Sequence, residues 1–237
     1  RMAGPTRRYS VTIGRQPGVG EVVLRPQVSP AAATEPESLV VPADRTTAEF
    51  RVARVLDGAS RTVAVVAQDG NGNELARTEA TYWDEPGAPA DNLALAARGT
   101  RCQTDSAYSG YSPEPLIDGV TATSGLHWTK IAWASQDNGE PHWAQLDLPA
   151  ATKVSEVRIY WSVDAERLYT SSRYAIVGLM DGGNRVLLNV DAQSERAVSI
   201  HKVAPVTVKG IRLEQPANGG PKHRPGIMWI REVCLLP

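Results

Sequence analysis

A group of oxygen-bearing residues surrounds the turn at Asp118-Gly119. Thr121 and Thr123 follow within a few residues, and each adds a hydroxyl group near the Asp118 carboxylate. A hard cation such as Ca²⁺ takes six or more oxygen ligands, and turn carbonyls can supply several of them when one or two carboxylates provide the charge. The segment therefore could hold a structural Ca²⁺, and the alternative is an Asp-Gly turn without a metal.

A second set of residues has the chemistry that binds sugars. The C–H face of a sugar stacks on Trp or Tyr, and its hydroxyl groups bond to Arg, His or Asn side chains. The candidates are Tyr108, Tyr111, His127, Trp133, His142, Arg173, His223, Arg224 and Trp229. From these, the predicted carbohydrate site consists of Tyr111, His127, Trp133, Arg173, His223 and Trp229. Trp133 is the preferred stacking ring, because it lies in a polar insertion that ends at Pro141.

No arrangement of residues in the chain predicts catalysis. None of the four His residues lies at zinc-ligand spacing from a Cys. The sequence has no nucleophile elbow, phosphate-binding loop or dinucleotide fingerprint. Loop carboxylates are ordinary surface residues and do not by themselves indicate the paired acids of a glycosidase. We expect no catalytic residue here.

The overall charge and hydropathy argue against two classes of partner. The net charge is -1 at pH 7 and the sequence pI is near 6.5, so no positive field would attract nucleic acid. No run approaches the roughly 18 apolar residues of a membrane span, and a membrane is not expected as a partner. The start, Arg1-Met2-Ala3-Gly4-Pro5, does not resemble a natural one, which suggests a piece of a longer protein.

Short β-branched segments separated by turn residues recur along the chain and predict an all-β protein. The segments Thr62–Val66 and Glu74–Ala76, joined by Asp69-Gly70-Asn71-Gly72-Asn73, predict a hairpin. Pro86 and Pro89 interrupt any regular structure, so we place a linker at 87–91. Residues 1–86 are then long enough for a small immunoglobulin-like β-sandwich, and 92–237 form the second domain.

Six sequence blocks follow one another in the second domain. Asn92-Leu93-Ala94 comes first, and Glu232 near the end follows the last block. The other five blocks are Ile117-Asp118-Gly119 with Thr121 and Trp128, Trp143-Ala144-Gln145-Leu146-Asp147-Leu148, Val157-Arg158-Ile159-Tyr160, Tyr174-Ala175-Ile176 with Asp181-Gly182, and Gly210-Ile211-Arg212-Leu213. In this order they resemble the discoidin or coagulation factor V/VIII type C family and its family-32 carbohydrate-binding modules.

The resemblance implies a jelly-roll β-sandwich with a ligand site in the loops at one end. It also implies Ca²⁺ ligands: the side chains of Asp118, Thr123 and Glu232, with the carbonyl groups of Pro115 and Val120. The galactose-binding pattern of the family is incomplete, because Trp128-Thr129-Lys130 stands where a His is expected and Ser162 or Val163 where an Arg is expected.

The resemblance further places Cys102 in the first strand of the second domain and Cys234 in the last. These strands are expected to be neighbours, so a Cys102–Cys234 disulfide is predicted, which would indicate an oxidising compartment. The alternative is two buried free thiols.

The leading hypothesis is a non-catalytic carbohydrate-binding part of a larger secreted, bacterial glycan-active enzyme. Its partners would be a glycan and the catalytic domain of the same parent protein. Two alternatives stay open: an adhesion module for a protein or membrane surface, and two sandwiches that only brace a catalytic domain.

Overall fold

The computed structural model of the chain describes residues 5–123, 125–165 and 167–237. The chain divides into two compact units. The first comprises Arg1–Leu56 and Ser60–Asp84, and the second comprises Asp57–Ala59 and Glu85–Pro237.

The first unit is built from two antiparallel sheets. Their strand orders are β1-β5-β3 and β4-β2-β6-β7. The strands are β1 (Thr6–Thr12), β2 (Val22–Ser29), β3 (Thr34–Glu35), β4 (Leu39–Val41), β5 (Thr47–Ala53), β6 (Arg61–Gln68) and β7 (Glu74–Tyr82).

Alternation of apolar and polar residues forms the core of this unit. In β5, Ala48, Phe50 and Val52 are buried while their neighbours are exposed, as a strand with one buried face requires. They pack with Leu24 and Val65 from the other sheet. The unit is a two-sheet β-sandwich, and its immunoglobulin-like character stays a prediction.

The predicted hairpin is confirmed as β6 and β7. The Asp69 amide donates to Asn73 O at 3.0 Å. The Asp69 carboxylate accepts from the Asn71 amide at 2.8 Å and the Asn73 amide at 2.9 Å, so its side chain closes the turn.

The second unit is also almost entirely β. Its only α-helix within the described residues is the single turn α1 (Trp128–Ile131). Short 3₁₀ turns cover Ala96–Arg98 and Glu114–Ile117. The strands are β8 (Arg101–Thr104), β9 (Trp133–Ala134), β10 (His142–Trp161), β11 (Val163–Asp164), β12 (Arg167–Leu168), β13 (Tyr174–Leu179), β14 (Arg185–Val190), β15 (Val198–Gln215) and β16 (Trp229–Leu236).

Two long strands, β10 and β15, run through both layers of this unit. Their pairing is interrupted between Asp147 and Thr152. Before the interruption β10 also pairs with β8, and after it with β16. β15 continues to β13 and β14 on one side, and β16 continues to β9 on the other. The unit is a jelly-roll β-sandwich, as the sequence predicts.

The two layers enclose one large apolar core. Leu146 from the first half of β10 and Ile159 from the second half belong to the same cluster. The predicted alternation of the Trp143 block is confirmed, because Ala144 and Leu146 are buried and Trp143 and Gln145 are only half-buried.

Asn92 joins the beginning of this unit to its last strand. Its Oδ1 accepts from the Ala94 amide at 2.9 Å and the Leu235 amide at 3.0 Å. Its Nδ2 donates to Glu232 Oε1 at 3.2 Å. The Asn92 side chain is fully buried and all its bonds are made within the unit, which explains why the Asn-Leu-Ala block begins with Asn.

The residues predicted as a linker, 87–91, pack with the second unit. Tyr160 Oη donates to Gly87 O at 3.0 Å. Glu85 Oε2 pairs with Arg231 Nη2 at 2.6 Å. The compact second unit therefore begins at Glu85 rather than Asn92. Among the described residues, no helix has the length and apolarity needed to cross a membrane.

Candidate functional site

Four connecting segments meet at one end of the jelly roll, which we call the loop end. They comprise residues 105–113, 135–141, the described residues of 162–173 with the short strands β11 and β12, and 216–228. Because β10 passes through both layers, its first and last residues, His142 and Trp161, both lie at this end beside Gln215 and Ile230. Backbone hydrogen bonds link the segments, including Ser135 N to Met228 O at 2.9 Å and Arg173 N to Gly219 O at 3.0 Å.

Trp229 lies at the centre of an aromatic cluster in the loop end. Its ring centroid is 5.8 Å from that of Tyr111, 6.1 Å from Trp128 and 4.5 Å from Tyr169, all with edge-to-face geometry. Such pairs contribute about 0.5–1.5 kcal/mol each beyond area burial. Trp229 itself is 5% exposed, so it supports the surrounding rings and presents no face to a ligand, contrary to its predicted role.

The accessible edge of the cluster combines rings with charge, and we call it the aromatic rim (Tyr108, Tyr111, Trp128, His223 and Arg224). Tyr108 is 40% exposed and lies 6.3 Å from Tyr111 between centroids. His223 is exposed and packs on Tyr169 at 4.8 Å. This arrangement offers stacking surfaces beside hydrogen-bonding groups, as sugar recognition requires.

Arg224 is held in place at the rim. Its guanidinium lies 5.6 Å from the Tyr108 centroid, and its Nε donates to Asp137 Oδ2 at 2.7 Å. Burial opposes the charge of Arg224, but the bond to Asp137 outweighs it and raises the pKa of the guanidinium. The ion pair therefore fixes a donor group beside an exposed ring.

Sequence reasoning missed three residues of this site. Tyr169 and Asp137 were not candidates, although an aromatic residue in the polar segment after β10 was a signal for the first. Trp128, which the sequence presented only as part of a family block, is half-buried and packs on Trp229. His127 is exposed and accepts from the Thr129 amide at 3.4 Å, which caps α1 beside the rim.

His142, one of the candidates left out of the predicted site, is buried beneath the loop end, so it cannot contact a sugar. Its Nδ1 lies 2.8 Å from Asp105 Oδ2 and its Nε2 lies 3.0 Å from Gly226 O. Burial alone would lower the pKa of His142, but the hydrogen bond to Asp105 outweighs it and raises the pKa above the usual 6.5. Both nitrogens face acceptors, so the imidazolium form satisfies both contacts.

The prediction that Trp133 stacks on a sugar is wrong. Its side chain has no exposed surface and belongs to the core between the layers. Its Nε1 donates to Ser106 O at 2.9 Å. The polar character of the insertion was misleading, because Trp133 pairs with Ile230 in β16 and faces inward.

Arg173 lies away from the aromatic rim. It is exposed, and its Nη2 donates to Ala217 O at 3.1 Å and Asn218 O at 3.3 Å. It lines a different groove together with Trp143 and none of the rim residues.

The structure brings the carboxylates of Asp118 and Glu232 together. Gly119 N donates to Glu232 Oε2 at 2.9 Å, and Val120 N donates to Asp118 Oδ1 at 2.7 Å. Burial, followed by the charge of Asp118, raises the pKa of Glu232 to about 9. Burial also raises the pKa of Asp118.

A divalent cation fits this pair of carboxylates. The neighbouring Arg231 points elsewhere, to Glu85 and to the carbonyl groups of Trp161 and Thr121, so it does not neutralise the pair. Pro115, Val120 and Thr123 lie in the same loop, and their part as ligands stays a prediction. Among the described residues, no group of three or more His, Cys, Asp or Glu gathers as a metal cluster.

The predicted disulfide is wrong. Both cysteines are free. Cys102 is opposite Leu146 and Cys234 is opposite Arg158, so they lie against different halves of β10. The first and last strands both pair with β10 but not with each other. Burial raises the pKa of the Cys102 thiol to about 11 and also raises that of Cys234.

Comparison with known proteins identifies the second unit. A family model described as F5/8 type C domain matches residues 100–228, more than half of the chain. No protein of the curated set matches the sequence.

Solved structures share the fold of the second unit. A chitosan-binding module derived from a chitosanase/glucanase of Paenibacillus sp. IK-5 has a TM-score of 0.50 and 18% identity, covering 62% of this chain and 98% of the module. A family 32 carbohydrate-binding module of C. perfringens, in complex with galactose, has a TM-score of 0.50 and 16% identity, covering 61% and 97%. The lectin domain of lectinolysin, complexed with Lewis B antigen, has a TM-score of 0.50 and 17% identity, covering 62% and 96%.

Proposed function

Because the chain belongs to the F5/8 type C domain family, we propose that its second unit is a non-catalytic carbohydrate-binding module. The glycan binds at the loop end, across the aromatic rim. Tyr108 and Tyr111 supply stacking surfaces, and His223 and Arg224 donate to sugar hydroxyl groups.

One observation carries this proposal: the rim is preorganised. Trp229 supports Tyr111 and Trp128 from below, and Asp137 fixes Arg224 next to Tyr108. A ligand therefore meets ordered rings and donors, which lowers the entropic cost of binding.

A glycan array probed with the full chain tests the proposal. We expect binding to at least one glycan class, and Tyr108→Ala should weaken it about tenfold, or ~1.4 kcal/mol. Tyr108→Phe keeps the ring and is the matched control, which should bind nearly as the unmodified chain does. Absence of binding to every glycan would overturn the proposal, and capture by liposomes alone would instead favour the adhesion alternative.

We also propose that Asp118 and Glu232 hold a structural Ca²⁺, with Thr123 and the carbonyl groups of Pro115 and Val120 as further ligands. The support is the convergence of two carboxylates whose pKa values are both raised by burial. Oxygen ligands of this kind suit Ca²⁺. When bound, the cation supplies charge neutralisation, and the residues themselves order the loop that precedes α1.

The module is further proposed to be part of a larger secreted, bacterial, glycan-active enzyme. Its role there would be to keep a catalytic domain near its polymer, since tethering raises the local concentration without requiring tight binding. Co-purification of the native parent protein with polysaccharide-degrading activity would test this.

A further inference from the structure

A transverse row of side chains crosses the outer face of one layer of the second unit. The register places Trp143 of β10 opposite Glu214 of β15, Glu214 opposite Ala175 of β13, and Ala175 opposite Asn189 of β14. Directly opposite residues in a sheet share one face. Trp143 and Asn189 therefore lie at the two ends of a continuous row, with Glu214 and Ala175 between them.

This row forms the floor of a groove. The groove has a volume of about 390 Å³, within the ~300–1,000 Å³ of typical small-ligand clefts. Besides the four residues of the row, it is lined by Arg173, Asp191, Pro141 and Pro216. Because Ala175 has a small side chain, the space between Glu214 and Asn189 stays open.

Trp143 is fixed as one wall of the groove. The Arg212 guanidinium lies 4.5 Å from its ring centroid. Arg212 is itself held, because its Nε donates to Gln145 Oε1 at 3.0 Å and Gln145 Nε2 donates to Asp147 Oδ1 at 2.8 Å. A half-buried indole is thus ordered from outside the groove, and its remaining surface borders the open space.

The groove also presents polar groups that other described residues do not use. Neither the Trp143 indole N–H nor the side-chain amide of Asn189 has a hydrogen-bond partner within the described part of the chain. The Glu214 carboxylate is 3.7 Å from Arg212 Nη1, a loose ion pair that leaves it able to accept hydrogen bonds. The lining carries charges of both signs, Glu214 and Asp191 against Arg173, which favours an uncharged ligand.

We infer that this groove is a second saccharide-binding site, which takes an uncharged sugar unit stacked beside Trp143 with its hydroxyl groups bonded to Asn189 and Glu214. It shares no residue with the aromatic rim and goes beyond the proposed loop-end site. Two weak sites on one module would bind a polymer more tightly than either alone.

NMR titration of the full chain tests the inference. The probes are chitotriose, cellotriose, maltotriose and lactose, each added to millimolar concentration. We expect at least one probe to shift the Trp143 indole and Asn189 side-chain signals, which are assigned from Trp143→Phe and Asn189→Ala. The Trp128 indole reports the loop end separately in the same spectra.

Variants distinguish the two sites. Trp143→Ala should weaken the groove response about tenfold, Trp143→Phe should largely retain it, and Tyr108→Ala should leave it unchanged. Shifts at Trp128 alone would overturn the groove and leave the loop-end site supported. Shifts at neither position would overturn the groove, while the loop-end site would still be decided by the glycan array. Loss of the Trp143 response in Tyr108→Ala would show that the groove is not a separate site.

Discussion

The imidazole of His142 lies between Asp105 and Gly226 O, which links two segments of the loop end. Its folded pKa is raised above 6.5, so the stability that this contact contributes is fully present below about 6.5 and is lost as pH rises through the folded pKa. We predict that the His142 ring signal in an NMR pH titration has a pKa above that of a free His. Asp105→Asn should lower it.

His201 is an internal control for this titration. Burial lowers the pKa of His201 to about 4, so its ring signal should titrate in the acid range and should not respond to Asp105→Asn. A pKa of His142 at or below the ordinary value would contradict the prediction.

Arg231 is a buried charge whose removal should be costly. It is 1% exposed and binds both carboxylate oxygens of Glu85, at 3.2 and 2.6 Å. Breaking a buried pair leaves the partner uncompensated, so Arg231→Ala should lower the free energy of unfolding by about 3–5 kcal/mol. Denaturant titration measures this. The exposed Arg185→Ala is the control, with an expected change within about 0.5 kcal/mol, and equal effects of the two substitutions would refute the pairing.

For two residues, the sequence could not determine the neighbouring strand or the direction of the side chain. Cys102 and Trp133 were assigned from the expected neighbours of their strands or from the polarity of their surroundings. Which half of β10 a strand pairs with depends on the fold of that long strand, and so does the side to which Trp133 points. A local pattern does not contain this information.

At the level of elements, Gly210 marks a close contact between β15 and β10. A Cβ atom at this position would lie 2.3 Å from Leu146 O, a backbone atom. Gly210→Ala should therefore destabilise the second unit by about 1–3 kcal/mol, measured by denaturant unfolding followed by Trp fluorescence. A Cβ atom at Gly182 would meet open space, with no such contact within 4 Å, so Gly182→Ala is the matched control. Equal stability of the two variants would contradict the close approach.

Elements with local signals could be predicted from the sequence. The β6–β7 hairpin follows from the Asp-Gly-Asn-Gly turn, and the alternation of Trp143 to Leu146 predicted which residues are buried. The continuity of β10 could not be predicted from the sequence, because the segment from Leu148 to Thr152 contains Pro149 and resembles a break between two strands. Only the packing of both halves into one core joins them.

At the scale of the whole second unit, Glu232 connects the last strand to the Asp118 loop. The pKa of Glu232 is raised from 4.5 to about 9. Without a cation, the stability that goes with the protonated form is fully present below about 4.5 and is lost as pH rises toward about 9. We predict that Tm in a chelator falls across this range, and that Ca²⁺ raises Tm by more at the alkaline end.

The controls for this prediction separate specific binding from general salt effects. Asp118→Asn should abolish the Ca²⁺ response, while Asp137→Asn, which changes the partner of Arg224, should retain it. A bound cation at a hundred times its Kd would contribute about 2.7 kcal/mol. The same Tm with chelator and with Ca²⁺ at every pH would refute the cation site.

The position of a bound sugar tests the central claim most directly. A crystal of the full chain, soaked with an oligosaccharide selected by the glycan array, should show a sugar ring at the loop end, against Tyr108 and Tyr111 and within reach of His223 and Arg224. A sugar found only elsewhere on the chain, with the aromatic rim free of it, would contradict the account.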